Sequence, residues 1–240
     1  MMPALSLIIP LYNELPCLPA VWHKVQQAVA TLPTGLPHPV EVVWVDDGST
    51  DGSTDWLAMQ TLPPHWQVVH HAHNQGKGKA LHTGVLAAQG NVVLFHDADT
   101  EYDPADWWAV VAPVLGGEVQ AMFGSRFRSR QRLPVGYWPY AMANWGLNAL
   151  LRYRWHRCYQ HRLFITDLET GMKAMARGVA LALPWQATDF AIEPEMTLAL
   201  VRGKVALAEV PISYRPRSVR QGKKIGWRDA VKAAHLLWHV

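Results

Sequence analysis

The segment Asp97-Ala98-Asp99-Thr100-Glu101 sets three carboxylates at alternate positions. In an extended stretch such residues project to one side, so Asp97, Asp99 and Glu101 can converge on one ion. Oxygen ligands without His or Cys suit Mg2+ or Mn2+, ions that commonly bridge substrate phosphates. A second cluster opens at Pro10-Leu11-Tyr12-Asn13-Glu14 and resumes at Asp46-Asp47-Gly48-Ser49. An aromatic ring, an amide and carboxylates at two strand ends make a pocket that can stack a base and accept its N–H donors. An Asp-rich turn leading to a helix cap accounts for the same residues without a ligand. The third cluster is Asn74-Gln75-Gly76-Lys77-Gly78-Lys79. Glycines there free backbone N–H groups at a helix start and lysines add charge, which suits an anion. It matches neither a Walker A sequence nor a complete GxGxxG, and a plain helix start explains it as well.

These clusters meet only if the chain brings them to one edge. Leu5 to Leu11, Val40 to Val45 and Asn91 to Phe95 are short apolar runs bounded by turn residues. That is the pattern of strands buried on both faces of a mainly parallel sheet. Leu18 to Ala30, Thr54 to Leu62 and Lys77 to Ala88 carry helical patterns between them, so the expected fold is α/β, a doubly wound sheet flanked by helices. Trp66 to His70 and Gln120 to Gly124 are weaker strand candidates. Asp103 is placed to cap a helix whose first turn holds Pro104 and whose apolar stripe is Trp107, Val110, Val111 and Val114. The carboxylate loop then lies past a strand end, at the edge where open α/β sheets bind ligands. Further on come an arginine-rich stretch, Arg126 to Arg132, and an aromatic one, Tyr137 to Arg157. A strand at Met172 to Met175, a helix at Glu193 to Arg202, a strand at Lys204 to Val210 and a helix at Trp227 to Trp238 complete the pattern.

The chain has 240 residues, half of them apolar and 17% charged, which excludes a disordered or collagen-like protein. Net charge is only +3, but three Lys/Arg face twelve Asp/Glu up to residue 120 and nineteen face seven after it. The front half is suited to a cation and the back half to an anion. The acidic front half argues against nucleic acid as a partner. Cys17 and Cys158 stand too far apart for a CxxC site and read as ordinary thiols. His70, His71 and His73 read as surface residues, with His96 packed beside the carboxylate loop. Twelve tryptophans are present, and those after residue 130 lie among arginines, the composition of a surface that touches lipid headgroups or a stacked base. No apolar run reaches the roughly 18 residues of a spanning helix, and no charged-then-apolar leader opens the chain. The expected location is cytoplasmic, peripherally attached to the inner face of a membrane.

Taken in order with Phe123-Gly124-Ser125-Arg126-Phe127, Thr166-Asp167-Leu168-Glu169-Thr170-Gly171-Met172-Lys173 and Glu209-Val210-Pro211-Ile212, these segments resemble the family 2 inverting glycosyltransferases of GT-A fold. Within that family the likeness is greatest to dolichyl- or polyprenyl-phosphate mannosyl- and glucosyltransferases, and it covers about residues 4 to 232. The resemblance implies that Pro10, Tyr12, Glu14, Trp44 and Asp46 hold the nucleotide. Asn13, Asp47, Lys77 and Ala98, from the same clusters, join them in the donor site. Asp97, Asp99 and Glu101 match the metal and diphosphate site, although the family often has Gln at the place of Glu101. Arg126 matches an arginine that contacts phosphate. Arg217, Arg220, Lys223 and Lys224 resemble a basic loop for the acceptor phosphate, with altered spacing. All of 1–240 is expected to be one catalytic domain, with 1–125 taking donor and metal and 126–240 the acceptor.

Asp99, Arg126 and Asp167 are the residues expected to carry the chemistry. The leading reading is inverting transfer of a sugar from a GDP-mannose or UDP-glucose type donor to a polyprenyl or dolichyl phosphate, at a membrane surface and with room for a membrane-protein partner. Transfer to a sugar hydroxyl, with Asp167 or Glu169 as base, is the alternative enzyme, and a non-catalytic binder of anionic lipid is the reading from another class. Trp138, Trp145, Trp155, Trp227 and Trp238 are expected to face the membrane.

Overall fold

The computed structural model describes residues 4–31, 39–129, 134, 137–159, 164–217 and 227–238, and the side chains of all of these but 158, 159 and 227–229. Seven strands form one sheet: β1 (Leu5–Leu11), β2 (Val40–Asp46), β3 (Trp66–His70), β4 (Val92–Phe95), β5 (Ala121–Ser125), β6 (Lys173–Ala176) and β7 (Leu207–Pro211). Their order is β3-β2-β1-β4-β6-β5-β7. All neighbours are parallel except β6, which runs against both β4 and β5. The mainly parallel α/β sheet expected from the apolar runs is therefore what forms, with the chain reversing once, at β6.

Alternate side chains of each strand enter opposite layers, as the pleat requires. On one face Leu7, Ile9, Val42 and Trp44 pack under α1 (Leu18–Ala30), α2 (Ser53–Ala58) and α4 (Trp107–Leu115). On the other Ile8, Val43, Val93 and Phe95 pack under α3 (Lys77–Ala87), α6 (Arg177–Leu181) and α7 (Ile192–Arg202). A third cluster joins α7 to α5 (Trp138–Tyr159) and α8 (Trp227–Trp238) through Leu147, Leu151, Trp155, Leu198 and Leu237. The aromatic stretch after Tyr137 is thus one helix of 22 residues, shared between core and surface.

Three expected elements shift, the first being the helix expected over Thr54 to Leu62, which spans Ser53–Ala58. Asp103 does cap, accepting from the Ala105 N–H at 3.1 Å, but the turn it caps is a 3-10 turn over Pro104–Asp106 that leads into α4. The last strand begins at Leu207 rather than Lys204, because Lys204, with φ of 52°, and Val205 wrap the end of α7, donating to Val201 and Leu200. At the start of α3, Gly76 has φ of 92°, and a Cβ there would meet the Thr188 carbonyl at 2.1 Å. Only glycine fits both demands, so the glycine of the third cluster is set by loop packing.

Candidate active site

The carboxyl ends of β2, β1, β4 and β5 and the start of β6 lie side by side and frame a cavity of about 290 Å3. Pro10, Tyr12 and Glu14 enter it from β1, Asp47 from β2, and Gly76 and Lys77 from the start of α3. The loop after β4 brings Asp97, Ala98, Asp99 and Glu101, and β5 brings Arg126. Opposite them stand Glu169 from the turn before β6, Phe190 just before α7, Glu193 in its first turn, and Tyr214 and Arg217 from the segment after β7.

The carboxylate loop does not close on one point as its spacing suggested. Among the described residues no three acidic, His or Cys side chains gather closely enough to cage an ion by themselves. Each carboxylate is already engaged by other groups. Asp97 pairs with Lys77 at 2.7 Å, Lys77 reaches Glu193 at 2.9 Å, and Glu193 in turn pairs with buried Lys173. Burial alone would raise the Asp97 carboxyl, but Lys77 holds it below its ordinary range. Gly171 keeps the space for it, since a Cβ there would stand 2.2 Å from the Asp97 carboxylate. Glu101 lines the cavity too, but accepts from the Tyr214 hydroxyl and from the Arg217 backbone N–H at 2.6 Å. Its carboxylate, expected on the metal, is tied here to the segment after β7.

Asp99 is the exception in this loop. Burial, then the charges of Asp97 and Glu101, push its carboxyl up to about 7, with Arg217 pulling the other way. Arg217 reaches Asp99 at 2.9 Å and Glu14 at 2.8 Å, so one guanidinium bridges the two acids. A residue expected at the acceptor phosphate thus stands as the counter-cation of the carboxylate cluster.

Arg126 and Asp167 form a buried bidentate pair, Nε to Oδ2 at 2.7 Å and a terminal nitrogen to Oδ1 at 2.6 Å. The Arg126 backbone N–H adds a third bond to Asp167 at 2.9 Å. Asp167 is fully buried and both of its oxygens are engaged, so it orients Arg126 and cannot serve as the base proposed for a hydroxyl acceptor. Glu209 on β7 fixes this turn, accepting from the Thr166 and Asp167 N–H groups at 2.9 Å and 3.0 Å. Glu169, two residues on, lines the cavity with a buried Oε1 that has no hydrogen-bond partner. Burial, with Arg126 opposing it, pushes Glu169 up to about 7.

Other expected donor residues lie behind the wall. Trp44 is fully buried, its ring 5.2 Å from that of Trp22, and cannot touch a nucleotide. Asp46 is also buried and holds its own turn, accepting from the Ser49 N–H at 3.0 Å and from the Thr54 hydroxyl. Asn13 ties the end of β1 to the same turn through the Thr50 N–H at 2.7 Å. Asp47 does face the cavity, but it also accepts from the Gln75 and Gly76 N–H groups at 2.9 Å and 2.8 Å, shaping the loop before α3. His71, read as a surface residue, pairs with Asp47 at 2.7 Å because β3 ends beside β2. Arg220, Lys223 and Lys224 lie outside the described residues.

Residue type and spacing alone do not mark Glu193, Lys173, Tyr214 or Glu209 as site residues. Glu193 and Glu195 in the first turn of α7 look like ordinary helix-dipole acids. Only their burial, at 3% and 7% exposure, marks them as different.

Of the tryptophans expected to face a membrane, Trp155 belongs to the core, where Leu151 and Leu237 pack in the same cluster. Trp138, Met142, Trp145 and Tyr153 are exposed, and at 100° per residue they fall within about 80° of one another around α5. Trp238 on α8 is exposed too, with the Arg154 guanidinium 5.2 Å from its ring. The Trp227 side chain lies outside the described residues. Among the described residues no helix is long and apolar enough to cross a membrane.

Comparison with known proteins places this geometry. The profile of glycosyl transferase family 2 matches residues 6–177. The undecaprenyl-phosphate mannosyltransferase of Micrococcus luteus is 26% identical over 91% of this chain and 86% of its own length. The polyprenol monophosphomannose synthase of Mycolicibacterium smegmatis is 27% identical over 91% of this chain and 80% of its own. Among solved structures, glucosyl-3-phosphoglycerate synthase from Mycobacterium tuberculosis in complex with UDP superposes with a TM-score of 0.67 at 20% identity, over 99% of this chain and 81% of that one. The same enzyme in complex with Mn2+, UDP-glucose and glycerol 3-phosphate gives 0.66 at 20% identity, over 99% and 79%. The fold is thus the GT-A type.

Proposed function

Because the chain belongs to glycosyl transferase family 2 and is a glycosyltransferase, we propose that it transfers a hexose from a GDP-mannose or UDP-glucose type donor to a polyprenyl or dolichyl phosphate, with inversion and with Mg2+ or Mn2+ bound. One juxtaposition carries the reading: the crowded carboxylate Asp99 and the phosphate-suited guanidinium of Arg126 line the same cavity. The relatives named for undecaprenyl phosphate and polyprenol monophosphomannose support the acceptor class, and the neighbour solved with Mn2+ and UDP-glucose supports the donor and metal classes.

Asp99 suits a divalent cation by its chemistry, as an acid pushed up by burial and then by two like charges, with Arg217 as its counter-charge here. With Asp97 beside it, Asp99 would hold an ion that stabilises the charge developing on the departing diphosphate. The chain's own groups do the rest. Tyr12 offers a ring to a base, and Glu14 and Asp47 offer acceptors to its N–H groups and to ribose hydroxyls. Arg126, fixed by Asp167, presents its guanidinium to a phosphate without having to be ordered first.

A phosphate monoester acceptor, with a second pKa near 6, is already an anion at neutral pH and needs no base. Its difficulty is repulsion from the donor, about 4 kcal/mol for unit charges 4 Å apart at an effective dielectric of 20. Arg126 and Arg217 offset that cost. The engagement of both Asp167 oxygens favours this acceptor over a hydroxyl, since it removes one of the two candidate bases.

The exposed stripe on α5 belongs to the same proposal. The chain has no acidic residue between Glu118 and Asp167, and it carries arginines at 126, 128, 130, 132, 152, 154, 157 and 162. Trp and Tyr rings on a segment rich in arginine and without acidic residues suit the headgroup layer of an anionic membrane, so the protein attaches peripherally to an inner membrane face, where the acceptor lipid lies. Flotation with anionic liposomes should recover it, less so at high salt. No flotation at any salt contradicts the attachment.

The acceptor is tested with UDP- and GDP-hexoses offered against a short polyprenyl phosphate, the matching polyprenol and a free hexose. Product from the phosphate alone is expected. Robust transfer to the free hexose by a protein that ignores the phosphate would make it a hydroxyl-directed enzyme, with Glu169 as the base.

A further inference from the structure

The cavity's charges are matched almost throughout. Lys77 is shared by Asp97 and Glu193, Arg126 is held by Asp167, and Arg217 bridges Glu14 and Asp99. Lys173, behind the wall, is taken by Glu193 and by the Leu168 and Thr170 carbonyls. Glu169 is different: its Oε1 is buried, has no partner and belongs to a side chain that lines the cavity, and while the Arg217 Nε is also left without a hydrogen bond, that guanidinium is ion-paired through its other two nitrogens. A buried acceptor left unmade is costly, so its persistence points to a partner that arrives with the substrate.

The order of the sheet says which part of the substrate that is. Along the carboxyl edge run β2, β1, β4 and β6, at intervals of about 4.8 Å, or about 14 Å in all. Asp47 marks β2, Tyr12 marks β1, Asp97 and Asp99 mark β4, and Glu169 precedes β6. A donor laid across these ends, nucleoside over β2 and β1 and diphosphate at β4, sets its sugar at β6. We propose that Glu169 is a specificity-determining residue that hydrogen-bonds a hydroxyl of the transferred sugar. The proposal rests on the donor reading above and adds the group that reads the sugar. Its turn is rigid enough for this, pinned by Glu209 on one side and by the Tyr102 hydroxyl, which accepts from the Gly171 N–H at 2.8 Å, on the other. A carboxyl pushed up to about 7 can either accept from a hydroxyl or donate to one.

The test is isothermal titration, with Mn2+ present, of UDP, GDP, UDP-glucose and GDP-mannose into the wild type, Glu169→Ala and Glu169→Gln, with thermal melting as a check on folding. Wild type should bind the better nucleotide sugar more tightly than its nucleoside diphosphate. In Glu169→Ala that sugar increment should fall about tenfold or more while nucleoside diphosphate affinity stays within about twofold, and Glu169→Gln, which keeps a hydrogen-bonding head, should restore most of it. Equal loss of nucleotide and nucleotide sugar would overturn the proposal. So would unchanged donor binding with a reduced turnover, which would make Glu169 a base instead. A wild type that binds none of the four ligands would overturn the donor reading itself, and this inference with it.

Discussion

Glu41, at the amino end of β2, and Asp99, beyond the carboxyl end of β4, are both acids set into the sheet's ends, and the protein treats them oppositely. Glu41 is met by neutral donors: the Ser6 hydroxyl, the Gln67 amide at 3.0 Å and the Gln89 N–H at 2.7 Å. Asp99 accepts one backbone N–H, from Glu101 at 2.8 Å, and is otherwise met by charges, two of its own sign and one guanidinium. The first arrangement is complete in itself and ties β1, β2 and β3 together. The second is left short of positive charge, and a cation bound with an anionic donor would complete it. Burial of an acid therefore says little about function; the kind of group that satisfies it says more.

The comparison can be broken at either end. Asp99→Asn should give the largest effect, a fall in turnover of about a thousandfold from the loss of several kcal/mol of charge stabilisation, with the melting temperature held or raised once the crowding is relieved. Steady-state rates beside a melting curve check it. Asp167→Asn comes next: it leaves the Arg126 guanidinium without its buried partner, and about 3 kcal/mol of stability should go in chemical denaturation, with activity falling alongside. Glu41→Gln should cost about 1 to 2 kcal/mol, since its amide cannot accept every bond now made, yet leave the rate per folded molecule within about twofold. A large rate loss there would erase the distinction between the two ends.

The smallest effect is a pH slope. Asp99 is raised from 3.8 and Glu169 from 4.5, each to about 7, so the folded state holds protons that the unfolded chain has released. Their contribution is full below about pH 4 and is lost as pH rises to about 7. Melting of the metal-free protein should decline across that window, and Asp99→Asn should flatten the decline.

The centre of the sheet was legible because its strands are buried on both faces, and β1 matches the apolar run from Leu5 to Leu11 residue for residue. Period 2 and period 3.6 need only the chain itself. The loop after β4 was legible as a site for the same reason, being the acidic segment at a strand end. What its spacing could not supply was direction. Alternation puts Asp97, Asp99 and Glu101 on one side of an ideal strand, but Tyr214 and Arg217, more than a hundred residues later, engage the Glu101 carboxylate. Trp44 failed for a related reason: in a strand buried on both faces, no pattern says which neighbours lie toward the pocket. Trp155 and Trp145 sit on one helix with the same composition around them, and only the packing of α8 decides that one is core and the other exposed.

The central claim, that the crowded carboxylates exist to take a cation together with a nucleoside diphosphate, is tested most directly by titrating UDP and GDP into the protein with EDTA and then with Mn2+. Wild type and Glu41→Gln should bind one of the two nucleotides at least about tenfold more tightly with Mn2+, and Asp99→Asn should lose that gain. Equal affinity with and without Mn2+, or a full gain retained by Asp99→Asn, would contradict it.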